Sequence, residues 1–163
     1  MTTIACNLKE ISSDSKVGSE GVGKDSFRGD KLYIAGDRVL GITGDNCDGA
    51  LIAIDWFKAG AKILERPVPP KRADWIIIEL SRAGIAVYNT LLEREDVREP
   101  FTAVGSGRKA ALYCMKVLGK TPGEAVYGAS LVDEYTAPPI MVAKLSDMVV
   151  RKWIPTKKGK KKT

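Results

Sequence analysis

The sequence predicts an α+β fold in which β-sheets are covered by helices. Short apolar runs broken by glycine and aspartate are typical of hairpins, and helical periodicity appears in only three stretches. The resulting order is strands, one helix, strands, two helices and a strand. This order lacks the strict alternation of a doubly wound fold. A chain of 163 residues with 44% hydrophobic residues is long enough for one such domain.

The predicted strands share short length and a high content of β-branched or aromatic residues. They are residues 2–8, 31–35, 38–43, 73–80, 84–89, 101–104 and 139–145. The run ADWIIIEL is nearly continuous in apolar residues, which indicates a strand buried on both faces. We predict GIAVYN as its hairpin partner.

Three helices are predicted from apolar periodicity and end signals. The first opens at Asp48, buries Ala50, Ile54 and Phe57 at helical spacing, and ends at Gly60. The second covers residues 108–118 and is stopped by Gly119.

The third helix has the clearest start signal in the chain. Thr121 is placed to cap the helix, Pro122 occupies its first position, and Glu124 follows three residues after the cap. This combination is a capping box, and the apolar pattern extends the predicted helix to about Leu131.

The net charge of +6 does not indicate a nucleic-acid-binding surface. Five of the 26 basic residues lie in the terminal KKGKKKT, and the other 21 are almost balanced by 20 acidic residues. We therefore predict a single domain over residues 1–153 and a basic, disordered tail over 154–163. No run approaches the length of a membrane span or has the layout of a signal peptide, so we expect a cytoplasmic location and no membrane partner.

The absence of histidine limits the chemistry available to this chain. It removes every Ser-His-Asp and Cys-His mechanism and every histidine-ligated metal centre. The three cysteines, Cys6, Cys47 and Cys114, are widely spaced and form no C-x-x-C pair. We therefore expect no metal and no cofactor, and an enzyme built from this chain needs another base.

A threonine next to the initiator methionine can supply this base through its own α-amino group. Thr2 becomes the N-terminal residue if Met1 is removed, and methionine aminopeptidases generally process a methionine that precedes such a small residue. A free α-amino group has an ordinary pKa of about 7.7 to 8.0, so a useful neutral fraction can accept the proton of the hydroxyl. Thr2 is therefore a candidate nucleophile.

A lysine close to this threonine would favour the neutral amine and a developing oxyanion, and an aspartate would hold the lysine charged. Asp14 and Lys31 lie in a suitable part of the chain. From composition alone, surface charges are the favoured interpretation of both residues.

Six motifs in sequence order resemble the proteasome β subunits and the bacterial heat-shock-locus V peptidase, which are N-terminal nucleophile hydrolases. The similarity extends from Thr2 to about Lys144. We expect the compact bacterial or phage type, in which only Met1 precedes the nucleophile. The motifs are TTIA, SSDS, GDKLYI, LGITGDNCD, FTAVGSGRKAAL and DEYT.

The resemblance implies a four-layer αββα sandwich of the N-terminal nucleophile hydrolase type and a threonine endopeptidase. It assigns the nucleophile to Thr2, the catalytic aspartate and lysine to Asp14 and Lys31, and the oxyanion-binding backbone N–H to Gly44. It assigns supporting roles to Ser106, Asp133 and Thr136, and a modest apolar substrate pocket to Val17, Ile42, Asn46 and Ala50.

Three departures from the family pattern stand out. Threonine replaces serine at Thr136, and residues 137–139 are Ala-Pro-Pro where the family usually has glycine. The glycine-rich LGITGDNCD segment is one residue short. The stretch between Lys62 and Asp74 is too short and too rich in proline for the family's second long helix.

Three functional hypotheses remain open at this stage. The first is a peptidase that cleaves polypeptides inside a self-compartmentalising homo-oligomeric ring, with an unfolding ATPase as a further partner. The second is an amidohydrolase that acts on small amides with the same nucleophile. The third is a non-catalytic scaffold with a proteasome-like fold, which a retained Met1 would favour.

Overall fold

The computed structural model describes residues 2–15, 30–47 and 49–155. Within these ranges the chain forms ten strands, three α-helices and one 3₁₀ turn at Ile63–Glu65. The strands are β1 (Thr3–Asn7), β2 (Glu10–Ser13), β3 (Leu32–Ala35), β4 (Arg38–Asn46), β5 (Asp74–Ser81), β6 (Gly84–Tyr88), β7 (Arg94–Asp96), β8 (Phe101–Gly105), β9 (Met141–Lys144) and β10 (Val150–Lys152). The helices are α1 (Ala50–Lys58), α2 (Arg108–Lys116) and α3 (Pro122–Ala129).

The strands form two antiparallel five-stranded sheets. The first sheet has the order β10-β9-β2-β1-β8, and the second has the order β3-β4-β5-β6-β7. Their inner faces share one apolar core, in which Ile4 and Ile11 of the first sheet lie in the same cluster as Ile78 of the second. Both central strands, β2 and β5, therefore carry inward-facing aliphatic side chains, and this burial holds the sheets together.

Helices cover the outer face of each sheet. Ala5 and Ala103 of the first sheet share a buried cluster with Ala125 of α3. On the other side, Ile77 of the second sheet packs in a cluster with Ile54 and Phe57 of α1. The layers are therefore helix, sheet, sheet and helix, which confirms the predicted αββα sandwich.

Most of the predicted elements are present, and three short strands were not predicted. The missed strands are β2, β7 and β10. The sequence of β7 is RED, and all three residues are exposed, so it has no apolar signal. Each missed strand is defined by its pairing with a neighbour, which a local pattern does not reveal.

The ends of the helices agree with the predicted signals to within a few residues. The Glu124 backbone N–H donates to the Thr121 hydroxyl over 3.3 Å, and the Thr121 N–H donates to the Glu124 carboxylate over 3.1 Å. This capping box confirms the predicted start of α3, which ends at Ala129, before the predicted Leu131. Asp48, predicted to open α1, lies outside the described residues.

The connector after α1 contains little regular structure. Between Lys62 and Asp74 the chain forms only the 3₁₀ turn at Ile63–Glu65, so no second long helix is present there. This agrees with the departure noted in the sequence. Among the described residues, no helix is long and apolar enough to cross a membrane.

Candidate active site

Thr2 lies where the two sheets meet. It immediately precedes β1 of the first sheet, and it is buried. Its backbone carbonyl accepts a hydrogen bond from the hydroxyl of Thr43, over 3.0 Å. Because Thr43 belongs to β4 of the second sheet, this bond joins the two sheets at the candidate nucleophile.

Asp14 and Lys31 form a buried ion pair beside Thr2. The Lys31 Nζ lies 3.3 Å from each carboxylate oxygen of Asp14. The Asp14 side chain is fully buried, and that of Lys31 is 11% exposed. The Asp14 Oδ1 also accepts the Thr3 backbone N–H over 2.9 Å, so the pair is attached to the residue that follows Thr2. These two residues are therefore not surface charges.

Burial changes the acidity of Lys31. Desolvation disfavours the ammonium form and lowers the pKa of Lys31 below its usual value, while the charge and hydrogen bond of Asp14 oppose this change. The Asp14 carboxylate thus opposes the loss of the lysine proton that burial promotes. The ion pair thereby lies beside the main chain that carries the candidate nucleophile.

A second cluster of polar side chains lies on the outer face of β1. The Ser106 hydroxyl donates to Asp133 Oδ2 over 2.7 Å, and the Thr136 hydroxyl donates to the same carboxylate. The Thr136 and Thr3 hydroxyl oxygens lie 2.6 Å apart. The three residues that the resemblance assigned to supporting roles are therefore brought together, and Thr3 connects them to the main chain beside Thr2.

The unusual Ala-Pro-Pro sequence is compatible with this arrangement. The Ala137 carbonyl accepts the Ser15 N–H over 3.3 Å, so the segment is tied to the end of β2. The bond between Thr136 and Asp133 is present even though proline follows where the family usually has glycine. Threonine thus preserves the hydroxyl that serine supplies in the family pattern.

Two glycines allow close backbone approach at the site. At Gly44, an added Cβ would lie 2.0 Å from the carbonyl oxygen of Asp74 in β5. At Gly105, an added Cβ would lie 1.6 Å from the carbonyl oxygen of Thr2. Any side chain at either position would collide with backbone atoms. The assignment of the oxyanion donor to the Gly44 N–H stays a prediction.

The substrate pocket also stays a prediction. Ile42 of β4 and Ala50 of α1 are buried in the same apolar cluster. Val17 and Met1 lie outside the described residues, as does the side chain of Asn46.

Thr3 and Thr43 were not among the predicted site residues. Both are buried, and both contribute hydroxyl groups to the surroundings of Thr2. The doubled threonine of TTIA was the available signal for Thr3. Thr43 lies inside the LGITGDNCD motif, between Ile42 and Gly44, which were both assigned roles.

Comparisons with known proteins define the fold. No protein-family model matches the chain, and no curated protein sequence matches it. The structure of Thiobacillus denitrificans BPH in complex with epoxomicin has a TM-score of 0.58 and 16% identity, covering 94% of this chain and 99% of that one. A second structure of Thiobacillus denitrificans BPH has a TM-score of 0.57 and 16% identity, covering 95% and 99%.

The crystal structure of eukaryotic HslV from Trypanosoma brucei gives a similar result. Its TM-score is 0.60 at 17% identity, and the match covers 87% of this chain and 98% of that one. All three similarities span nearly the whole of both chains. They confirm, at the level of the fold, the resemblance found in the sequence motifs.

Proposed function

We propose that this chain is a threonine peptidase that hydrolyses peptide bonds through Thr2 after removal of Met1. One observation carries the proposal. Thr3, which directly follows Thr2, contacts a buried lysine–aspartate pair through its N–H and a network of hydroxyl groups around Asp133 through its own hydroxyl. Buried ionisable groups next to a candidate nucleophile are the arrangement expected of an active site.

In the proposed reaction, the Thr2 hydroxyl attacks the peptide carbonyl and its proton passes to the free α-amine, directly or through water. The Gly44 N–H stabilises the tetrahedral oxyanion. The intermediate collapses to an ester as the peptide C–N bond breaks, and the α-ammonium returns the proton to the departing amine. Water, activated by the same amine, then hydrolyses the ester and regenerates the hydroxyl.

The other residues support this sequence of proton transfers. The Lys31 ammonium favours the neutral amine and the developing negative charge on the threonine oxygen, and Asp14 keeps Lys31 protonated and in place. Ser106, Asp133 and Thr136 hold the main chain next to Thr2 through Thr3. No step requires a metal or a cofactor.

We also propose that the active form is a homo-oligomeric ring in the cytoplasm that encloses its sites and takes polypeptides, with an unfolding ATPase as a further partner. Five large aliphatic side chains in and after α1 support self-association, because their apolar surface is exposed. They are Leu51, Ile52, Ile63, Leu64 and Val68.

Intact-mass measurement with a covalent probe tests the proposal. Epoxomicin, the ligand named with one of the similar structures, is an epoxyketone that requires both a hydroxyl and a free amine on the same threonine. We expect a protein that lacks Met1 and gains one adduct per chain. A protein that retains Met1 and forms no adduct would contradict the proposal and favour the scaffold hypothesis.

The substrate class requires a separate measurement. Hydrolysis of unstructured polypeptides and of small amides should be compared with the same preparation. Cleavage of polypeptides alone supports the peptidase. Turnover confined to small amides would instead support the amidohydrolase alternative.

Asp14→Asn is expected to lower the rate of peptide hydrolysis and to change the pH dependence of that rate. Asparagine keeps an acceptor for the Thr3 N–H, but it removes the charge that raises the pKa of Lys31. The Lys31 pKa therefore falls further, so its ammonium is lost at lower pH. We expect the alkaline limb of the pH–rate profile to move to lower pH, with a rate loss of about 10²-fold at neutral pH.

The matched control is Asp147→Asn, which removes an exposed carboxylate paired with Arg151. Its profile should coincide with that of the wild type. An alkaline limb that stays in place in Asp14→Asn would show that Lys31 does not act as an ammonium in the reaction.

A further inference from the structure

We propose that Thr43 is a positioning residue for the nucleophile, an inference that rests on the proposed function. The peptide group between Thr2 and Thr3 is held at both of its polar ends. Its carbonyl oxygen accepts the Thr43 hydroxyl over 3.0 Å, and its N–H donates to the Asp14 carboxylate over 2.9 Å. The two holding groups come from opposite sheets, since Thr43 is in β4 and Asp14 follows β2.

This arrangement fixes the orientation of a rigid unit. A peptide group is planar and contains the Cα atoms of both residues, so bonds to its oxygen and its N–H define how the plane is turned. With that plane fixed, the amine and hydroxyl of Thr2 can be displaced only by rotations about the bonds of Thr2 itself. Their separation from Lys31 and from a bound carbonyl depends on those few rotations.

Burial makes the Thr43 bond difficult to replace. Thr43 is 3% exposed and Thr2 is 6% exposed, so bulk water has little access to either partner. On another side, the backbone of Gly105 approaches the same Thr2 oxygen too closely to admit a Cβ. Thr43 is also β-branched, so its χ1 angle is restricted and its hydroxyl is held in one direction.

The positioning role makes a specific kinetic prediction. Thr43→Val keeps the shape of the side chain and removes the donor, whereas Thr43→Ser keeps the donor. We expect Thr43→Val to lower the maximal rate of epoxomicin inactivation by about 10- to 100-fold, because small misplacements of reacting groups have effects of this size. The concentration for half-maximal inactivation should change by less than about threefold, since the Thr43 hydroxyl bonds to the Thr2 carbonyl and acts on the orientation of the nucleophile.

Two comparisons separate positioning from loss of stability. Thr43→Ser should restore the maximal rate to within about threefold of the wild type. Thr121→Val also removes one threonine hydroxyl from a hydrogen bond, at the N-terminus of α3, and should keep the wild-type rate at temperatures where it is folded. Thermal unfolding of all four proteins defines the temperature at which the rates are compared.

The outcomes distinguish failure of the proposed function from failure of the positioning role of Thr43. If the wild type lacks Met1 and still forms no adduct, the proposed function fails, and the role of Thr43 fails with it. If the wild type is labelled and Thr43→Val is labelled at the same maximal rate, the role of Thr43 alone is overturned. A Thr43→Ser protein as slow as Thr43→Val would likewise overturn it, because the hydroxyl would then not be the group that matters.

Discussion

Replacement of Thr2 by alanine is expected to abolish both epoxomicin labelling and peptide hydrolysis while the protein stays folded. The change removes the proposed nucleophilic oxygen, and loss of a nucleophile typically lowers kcat by 10⁴-fold or more. The hydrogen bond that Thr43 donates to this residue ends on the Thr2 backbone carbonyl, which alanine retains. The free energy of unfolding should therefore change by less than about 1 kcal/mol.

Intact mass after incubation with epoxomicin, together with urea denaturation, measures both effects. Thr2→Ser is the matched variant, because it keeps a hydroxyl on an N-terminal residue and should keep measurable labelling. A Thr2→Ala protein that hydrolyses peptides at the wild-type rate would place the nucleophile elsewhere. The exposed Cys47 would then be the next residue to replace.

The elements that the sequence predicted correctly have strong local signals. The capping box of α3 is a contact between residues three apart, and ADWIIIEL is apolar along almost its whole length. In contrast, β2 and β7 are short and polar and exist because a neighbouring strand supplies their hydrogen bonds. Local patterns identify the first kind of element, and only the assembled sheet identifies the second.

The candidate site likewise contains residues that sequence motifs predicted and a contact that they could not predict. Asp14 and Lys31 were expected near Thr2 because they lie in motifs with a characteristic order, and the structure does bring them together. The contact between Thr43 and Thr2 joins residues 41 positions apart across two sheets. It depends on how the sheets are placed against each other, and no spacing along the chain encodes that placement.

Gly105→Ala is expected to destabilise the protein more than any other substitution considered for this site. Gly105 has a φ of +94°, which strains any other residue, and its added Cβ would lie 1.6 Å from the Thr2 oxygen and 3.2 Å from the Thr3 Cα. Because Gly105 pairs with Thr3 in the β1–β8 ladder, these strands must separate to relieve the collision. We expect a loss of about 4 kcal/mol in the free energy of unfolding, measured in urea.

Thr2 directly precedes β1, one of the two strands that must separate. The activity of the folded fraction should therefore fall as well. Gly60→Ala is the matched control, because Gly60 has a φ of +96° but no atom within 4 Å of an added Cβ. It should lose only about 1 kcal/mol, the cost of a left-handed backbone alone. Since both glycines have positive φ, the difference between the two variants measures the collision with Thr2. Equal losses would mean that β8 can move away from Thr2 at little cost, and the close approach would then not be what fixes the nucleophile.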